Sequence, residues 1–242
     1  MKKLVAALLL APALALASSA GLKLDRAPVN LNDLPSLQRG AKVFVNYCLN
    51  CHSANYMRYN RLTDLGLSEQ QIRDNLAFGT ERVGDTMTVA MRGKDAAQWF
   101  GVAPPDLTVI ARSRGGDWLY TYLRQFYHDP ERASGWNNLV FPSVAMPHVL
   151  VHLQGVQVLQ TEERTDGQGH GEHVSRLVLE TPGAMTPLEY DQTVGDLVNY
   201  LVYMGEPAAA SRVGIGIGVL LFLVIFIVLS WLLKRAYWKD VH

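Results

Sequence analysis

The chain has 242 residues, with 22 basic and 22 acidic side chains, seven histidines and two cysteines. A formal net charge of zero argues against nucleic acid as a partner, and two thiols are too few for a disulfide-stapled scaffold. The zero hides an asymmetry: from Asp129 to Glu206 there are eleven acidic residues against three basic ones, a local balance of −8 that suits a basic protein partner.

Lys2 and Lys3, the apolar run Leu4 to Ala17 and the small residues of "ASSA" form the pattern of a secretory signal peptide over residues 1–20. An uncleaved anchor is the alternative, for which the run is short. Residues 21–207 then make one exported domain, long enough for a real core. Its first helix is predicted from Ser36 in "SLQRGAKVFVNYCLNCHS", with Leu37, Ala41, Phe44 and Cys48 on one stripe and the small Gly40 beside it. "LSEQQIRDNLAFG" carries a capping box, Ser68 with Gln71, and predicts a helix ending at Gly79. "GVAPPDLTVIARSRGG" is an apolar loop, and "GGDWLYTYLRQFYHDP" predicts a helix from Asp117 that stops before Pro130. A second apolar loop, "FPSVAMPHVL", precedes two alternating runs, "VQVLQ" and "SRLVLE", which predict a β-hairpin around a Gly-rich turn. "DQTVGDLVNYLVYMGEP" places Val194, Leu197, Val198 and Leu201 at helical spacing. Finally, Val213 to Leu233 is free of charge and at ~1.5 Å per residue spans a hydrocarbon core of ~30 Å. This predicts a transmembrane anchor over 208–235. Lys234, Arg235 and Lys239 follow it and put the tail, 236–242, in the cytoplasm.

Long apolar loops between helices suggest a core built around a guest group, and the cysteines suggest which. Three chemistries use Cys48-Leu49-Asn50-Cys51-His52. A redox dithiol belongs at a helix start after a strand, whereas this pair ends a helical pattern. Zinc needs about four ligands, so His148 or His152 would have to complete the set from a distant loop. Covalent haem uses both thiols on the two vinyl groups and the histidine on iron, with no residue missing. Attachment of such haem outside the bacterial cytoplasm also explains the export signal. The sixth iron position can be Met, His, water or empty. A candidate must lie on a loop: Met57, Met87, Met91, Met146 and Met185 are off the two terminal helices, whereas Met204 ends one, and Met146 is favoured by its apolar, Pro-bearing loop. Haem propionates favour a nearby guanidinium, for which "ARSRGG" offers Arg112 and Arg114.

"RGAKVFVNYCLNCHSANYMRYNRL", "APPDLTVIARSRGGDWLYTYL" and "GDLVNYLVYMGEP" with the single span after it resemble the cytochrome c1 family, the haem subunits of ubiquinol–cytochrome c oxidoreductase. The resemblance runs along most of the chain and implies a mainly α c-type cytochrome domain with long loops, a small β-hairpin and one C-terminal transmembrane helix. It implies one covalently attached haem c, with Cys48 and Cys51 as thioether residues and His52 as the proximal ligand. Met146 takes the place of the distal ligand, Arg114 that of a propionate arginine, and Pro104 and Pro105 wall the haem; Trp118 stands where some members have Tyr. The implied function is electron transfer from a Rieske iron–sulfur protein to a soluble or tethered cytochrome c, within an enzyme that also contains cytochrome b. The implied place is the periplasmic side of a bacterial cytoplasmic membrane. The haem subunit of a terminal oxidase or nitric-oxide reductase is the alternative. Compared with mitochondrial members, the stretch from Asn60 to Gly101 is short and the hairpin around Gln168 is long. Its carboxylates, Glu162, Glu163, Asp166 and Glu172, are candidates for steering a basic acceptor.

Overall fold

A computed structural model describes residues 23–165 and 171–239. The expected signal peptide, the hairpin turn with Asp166, and the last three residues of the expected tail lie outside them.

Two helices from opposite ends of the domain form its spine. The first, α1 (Leu34–Val43), is capped by Asp33, whose side chain accepts from the backbone N–H of Ser36, and continues through a wider π-type turn, Phe44–Cys48. The predicted stripe is its buried face: Leu37, Ala41, Phe44 and Cys48 all lie inside. It packs on Pro187–Gly205, the helix named α7 below. A Cβ on Gly40 would lie 2.0 Å from the carbonyl oxygen of Asp196, so only glycine lets the two backbones come this close. Around that contact Arg39 grips Asp196 through two hydrogen bonds of 2.6 and 3.0 Å, and the Phe44 and Tyr200 rings sit 5.5 Å apart. Helix α7 starts a turn before the apolar pattern does, because Pro187 suits the first turn and Thr186 with Glu189 forms a reciprocal cap.

Between the spine helices the chain is shorter-ranged than its periodicity suggests. Strand β1 (Ala54–Arg58) pairs with β2 (Thr86–Met87), and a 3-10 helix, Tyr59–Leu65, lies between them in sequence. Helix α2 (Glu69–Asn75) has the predicted Ser68–Gln71 capping box but stops short of Gly79, where Leu76 and Ala77 both turn their N–H groups to Ile72. Helices α3 (Gly93–Phe100) and α4 (Ile110–Arg114) occupy stretches expected to be loop. Helix α5 (Gly116–Arg124) is shorter than predicted, because Phe126–His128 becomes β3 and pairs with β4 (Trp136–Asn138). The aromatic rings of "FYH" suit a half-buried pleat, and Gly135, at φ 73°, turns the chain back.

A single-turn α6 (Val151–Gln154) leads into the predicted hairpin, β5 (Gly155–Thr165) against β6 (Gly171–Pro182), in antiparallel register with Gln157 opposite Leu179. Its far edge joins β3 through a parallel contact of His128 with Val158, giving a four-stranded sheet in the order β4-β3-β5-β6. Of the acidic hairpin residues, Glu162 is exposed and already paired with Arg176 at 2.7 Å.

The segment 23–33 is an extended strap over α5 and α7. It is held by its backbone: Asp25, Ala27 and Asn30 donate their N–H groups to the side chains of Thr121, Asp117 and Asn199 at 2.8, 2.8 and 3.0 Å. The last element, α8 (Ala209–Tyr237), is the one described helix long and apolar enough to cross a membrane, and none of its residues is buried.

Candidate functional site

The two cysteines and the histidine come together because the wide turn ends at Cys48 and one more turn follows. The N–H groups of Cys51 and His52 both donate to the Cys48 carbonyl, at 3.1 and 2.8 Å, which sets the three side chains at i, i+3 and i+4 on one side. Cys48 is buried at 9% exposure, Cys51 and His52 are half-buried, and neither thiol is in a disulfide. His52 Nδ1 lies 2.8 Å from the Pro105 carbonyl oxygen. A carbonyl only accepts, so Nδ1 carries the proton and Nε2 keeps its lone pair for a metal. Burial lowers the His52 pKa, against the Pro105 hydrogen bond and the nearby Asp106, which favours the neutral ring a metal requires.

The loop that supplies this acceptor is clasped to the chain leaving the cysteines. Leu107 N–H donates to the Ser53 carbonyl at 2.9 Å, and the Asp106 carboxylate accepts from Asn55 N–H and Thr108 N–H, each at 2.8 Å. Burial alone would raise the Asp106 pKa, but the hydrogen bonds from Thr108 and Asn55 outweigh it and hold the carboxyl below its ordinary range. Pro104 is half-buried and Pro105 exposed. Pro105 thus has an office that the resemblance did not assign it: its carbonyl orients His52.

The methionines separate cleanly. Met57, Met87 and Met204 are buried in the core. Met185 is half-buried with its sulfur 3.5 Å from the Thr193 hydroxyl, and Met91 lies just before α3. Met146 is half-buried in the predicted loop, and its sulfur accepts from the Tyr122 hydroxyl at 3.4 Å. The frame of that loop is a pair of amides. Asn138, 1% exposed, donates to the Tyr122 carbonyl at 2.8 Å and accepts from Val140 N–H and Phe141 N–H at 2.9 and 3.2 Å. Asn137 accepts from Ser143 N–H at 2.8 Å, the residue that takes up the loop's positive φ of 64°. Beyond Met146, the buried His148 ring stacks on Phe126 at 5.0 Å and meets Trp136 edge-on at 5.2 Å. Burial pushes the His148 pKa down to about 4, so the ring is neutral at physiological pH.

The two arginines also part. Arg112 packs its methylenes against Gly205 of α7. Arg114 ends α4 exposed, with its guanidinium 5.2 Å over the Trp118 ring, a cation–π contact that holds the charge in place.

These observations weigh on the rival chemistries. A redox dithiol works through a thiol of depressed pKa, but burial, with Cys51 beside it, pushes Cys48 up to about 12. For zinc, the described residues hold no group of three or more His, Cys, Asp or Glu able to share an ion: His148 is stacked among rings and His152 is exposed. Two thiols on one side of a turn beside an oriented imidazole do fit a covalently attached porphyrin iron. Sequence reasoning missed Tyr122, Asp106, Asn137 and Asn138. Tyr122 was legible as the residue four after Trp118 on an amphipathic helix, and the adjacent asparagines as polar residues inside an apolar stretch.

The chain matches the model of the Cytochrome C1 family over residues 26–168 and 183–241. The interruption falls in the hairpin, where the sequence already suggested extra length. Over all of its own length and 99% of the relative's, it is 56% identical to a Nitrosomonas europaea protein named ammonia monooxygenase gamma subunit. It is 51% identical to cytochrome c1 of Allochromatium vinosum, with both chains fully covered. Cytochrome c1 of Rhodospirillum rubrum is 29% identical over 86% of this chain and 83% of that one.

Proposed function

The chain belongs to the cytochrome c1 family, the haem electron-transfer subunits of the bc1 complex, and from that membership we propose that it carries one electron at a time from a Rieske iron–sulfur protein to a cytochrome c. Family members carry covalent haem c, and Cys48 and Cys51 fit the Cys-x-x-Cys-His attachment pattern. When bound, the haem supplies the one-electron carrier; the chain supplies binding, orientation and electrostatics. In this reading Cys48 and Cys51 form the thioethers, His52 is the proximal ligand and Met146 the distal one. Arg114 faces a propionate, with Trp118 fixing its guanidinium. Pro104 and Pro105 border the ring. The single observation that carries the reading is the hydrogen bond from His52 to the Pro105 carbonyl, which joins the attachment motif to the Pro-Pro-Asp-Leu loop and leaves Nε2 for iron.

The same reading gives the topology. Residues 1–20 are a removable leader, 21–207 a periplasmic haem domain, 208–235 the anchor and 236–242 a cytoplasmic tail, with cytochrome b as membrane neighbour.

The test is purification of the full chain from its native membrane. Acid–acetone extraction is expected to leave the haem colour on the protein, and Cys48→Ser with Cys51→Ser to abolish it. Co-purification of a cytochrome b and a Rieske-type protein is the expected result for the complex. Recovery with a monooxygenase, the assembly named for the Nitrosomonas relative, or with a terminal oxidase or nitric-oxide reductase would replace it. Met146→Leu is expected to remove the weak long-wavelength sulfur-to-iron band of the oxidised protein and to lower its potential, because a thioether ligand favours the reduced iron.

A further inference from the structure

Helix α5 and the strand after it present Trp118, Tyr122 and Phe126 at four-residue intervals. The Trp118 and Tyr122 rings are stacked, 4.8 Å apart and 12° from parallel, and Phe126 meets Tyr122 edge-on at 5.0 Å. The Tyr122 backbone is fixed as well, since its carbonyl receives the Asn138 amide that also frames the Met146 loop. Ring and backbone are therefore both immobilised, and the polar end of the side chain is directed at one atom, the sulfur of Met146, at 3.4 Å.

Among the described residues two other hydroxyls approach thioethers: Tyr200 to Met87 at 3.6 Å and Thr193 to Met185 at 3.5 Å. Met87 is wholly enclosed in the core, and Met185 sits just before α7. Neither sulfur belongs to a loop with a ligand role, so these pairs serve as internal controls for a contact that is merely packing.

We propose that Tyr122 is a positioning residue for the distal iron ligand: its O–H donates to one lone pair of the Met146 sulfur, aims the other lone pair at the metal, and by drawing density from the sulfur raises the haem potential. This rests on the reading of Met146 as that ligand. A thioether has two lone pairs and is a weak acceptor, so one can be shared with a donor while the other binds iron. Hydrogen bonds to a ligand atom are an established lever on haem and metal sites, and a donor lowers the ligand's electron donation, which disfavours the oxidised metal.

The experiment uses the full-length haem-loaded chain within its membrane complex. In Tyr122→Phe the stack and the fold are kept and the donor alone is lost. The sulfur-to-iron band is expected to persist at a shifted wavelength. The midpoint potential is expected to fall by the equivalent of a two- to tenfold change in the ferrous-to-ferric ratio, tenfold being ~59 mV for one electron. Thr193→Val is expected to move neither. In the wild type, the iron–sulfur vibration is expected to shift between H2O and D2O, a readout that needs no variant to fold. Unchanged band, potential and isotope response, with Met146→Leu still abolishing the band, would overturn the role of Tyr122 and leave the ligand assignment standing. A band that survives Met146→Leu would instead overturn the ligand assignment and this inference with it.

Discussion

The two segments that carry the candidate iron ligands are held by different physics. His52 follows Cys51 directly, and its loop partner is zipped on by several independent contacts: Pro105 to His52, Leu107 to Ser53, Asp106 to Asn55 and Thr108 to Tyr56. Met146 lies eight residues beyond Asn138 in a loop without a covalent tie to the cofactor, and one buried amide satisfies three backbone groups of its frame. The proximal side is redundant, and the distal side is concentrated. A redundant clasp loses little when one bond goes, whereas a concentrated one fails with its hub.

Asn138→Leu tests that contrast at its largest. It leaves the N–H groups of Val140 and Phe141 without their partner and the Tyr122 carbonyl with the Gln125 N–H alone, and an unsatisfied buried group costs roughly 1–3 kcal/mol. The expected loss is about 3 kcal/mol or more in denaturant unfolding, together with a weakened sulfur-to-iron band. A loss below about 1 kcal/mol would break the comparison.

Acid sharpens it next. The His148 pKa is about 4 in the folded protein against an ordinary 6.5, so the unfolded chain takes up the proton first. Its contribution to stability is complete above the ordinary value and is lost as the pH falls from about 6.5 towards about 4. Between neutral pH and pH ~5 this amounts to about 2 kcal/mol, read as a fall in unfolding free energy that His148→Leu should flatten. On the proximal side Asp106 is held below its ordinary carboxylate range and titrates at lower pH, while His52, whose pKa burial also lowers, is withdrawn from titration when its Nε2 holds iron.

Asp106→Asn is the smallest effect expected. It removes charge from two hydrogen bonds but leaves the His52–Pro105 and Leu107–Ser53 contacts, so the cost is about 1 kcal/mol with the haem spectrum unmoved. A spectrum that changed would show Asp106 to be a hub in its own right.

The same contrast explains what the sequence could reveal. Cys48, Cys51 and His52 were legible because their chemistry lies within one turn, as was the Ser68–Gln71 cap. The stripe of α1 and the hairpin were legible because burial imposes a period on them. Tyr122 and Asn138 could be noticed by position, but their roles were not legible, because each takes its meaning from a partner in a distant segment: Tyr122 from Met146, Asn138 from the Tyr122 carbonyl. Met146 was picked out by its loop's composition and Arg114 was set apart from Arg112 by the family resemblance; the folded chain lays Arg114 on Trp118 and Arg112 against Gly205. The strap over α5 and α7 left little mark on its own residues beyond Asp25, which pairs with Arg124 at 2.7 Å, since its other anchors include backbone N–H groups that every non-proline residue has. Strand β3 was read as helix because "FYH" continues an apolar pattern, and only its pairing with β4 and β5 decides the matter.

The spine itself sets an order of events. Helix α1 ends in the attachment turn, yet the surface that covers it, α7, lies more than a hundred residues later; the Arg39–Asp196 grip alone bridges 157 positions. A chain made from its N-terminus therefore presents Cys48, Cys51 and His52 long before the helix that packs on α1 exists. Until α7 arrives, Gly40 has no backbone to receive, Phe44 has no Tyr200 to meet, and the strap has no Asn199 to hold it. The attachment turn is thus made well before α7, and docking of α7 on α1 is the late step that closes the spine.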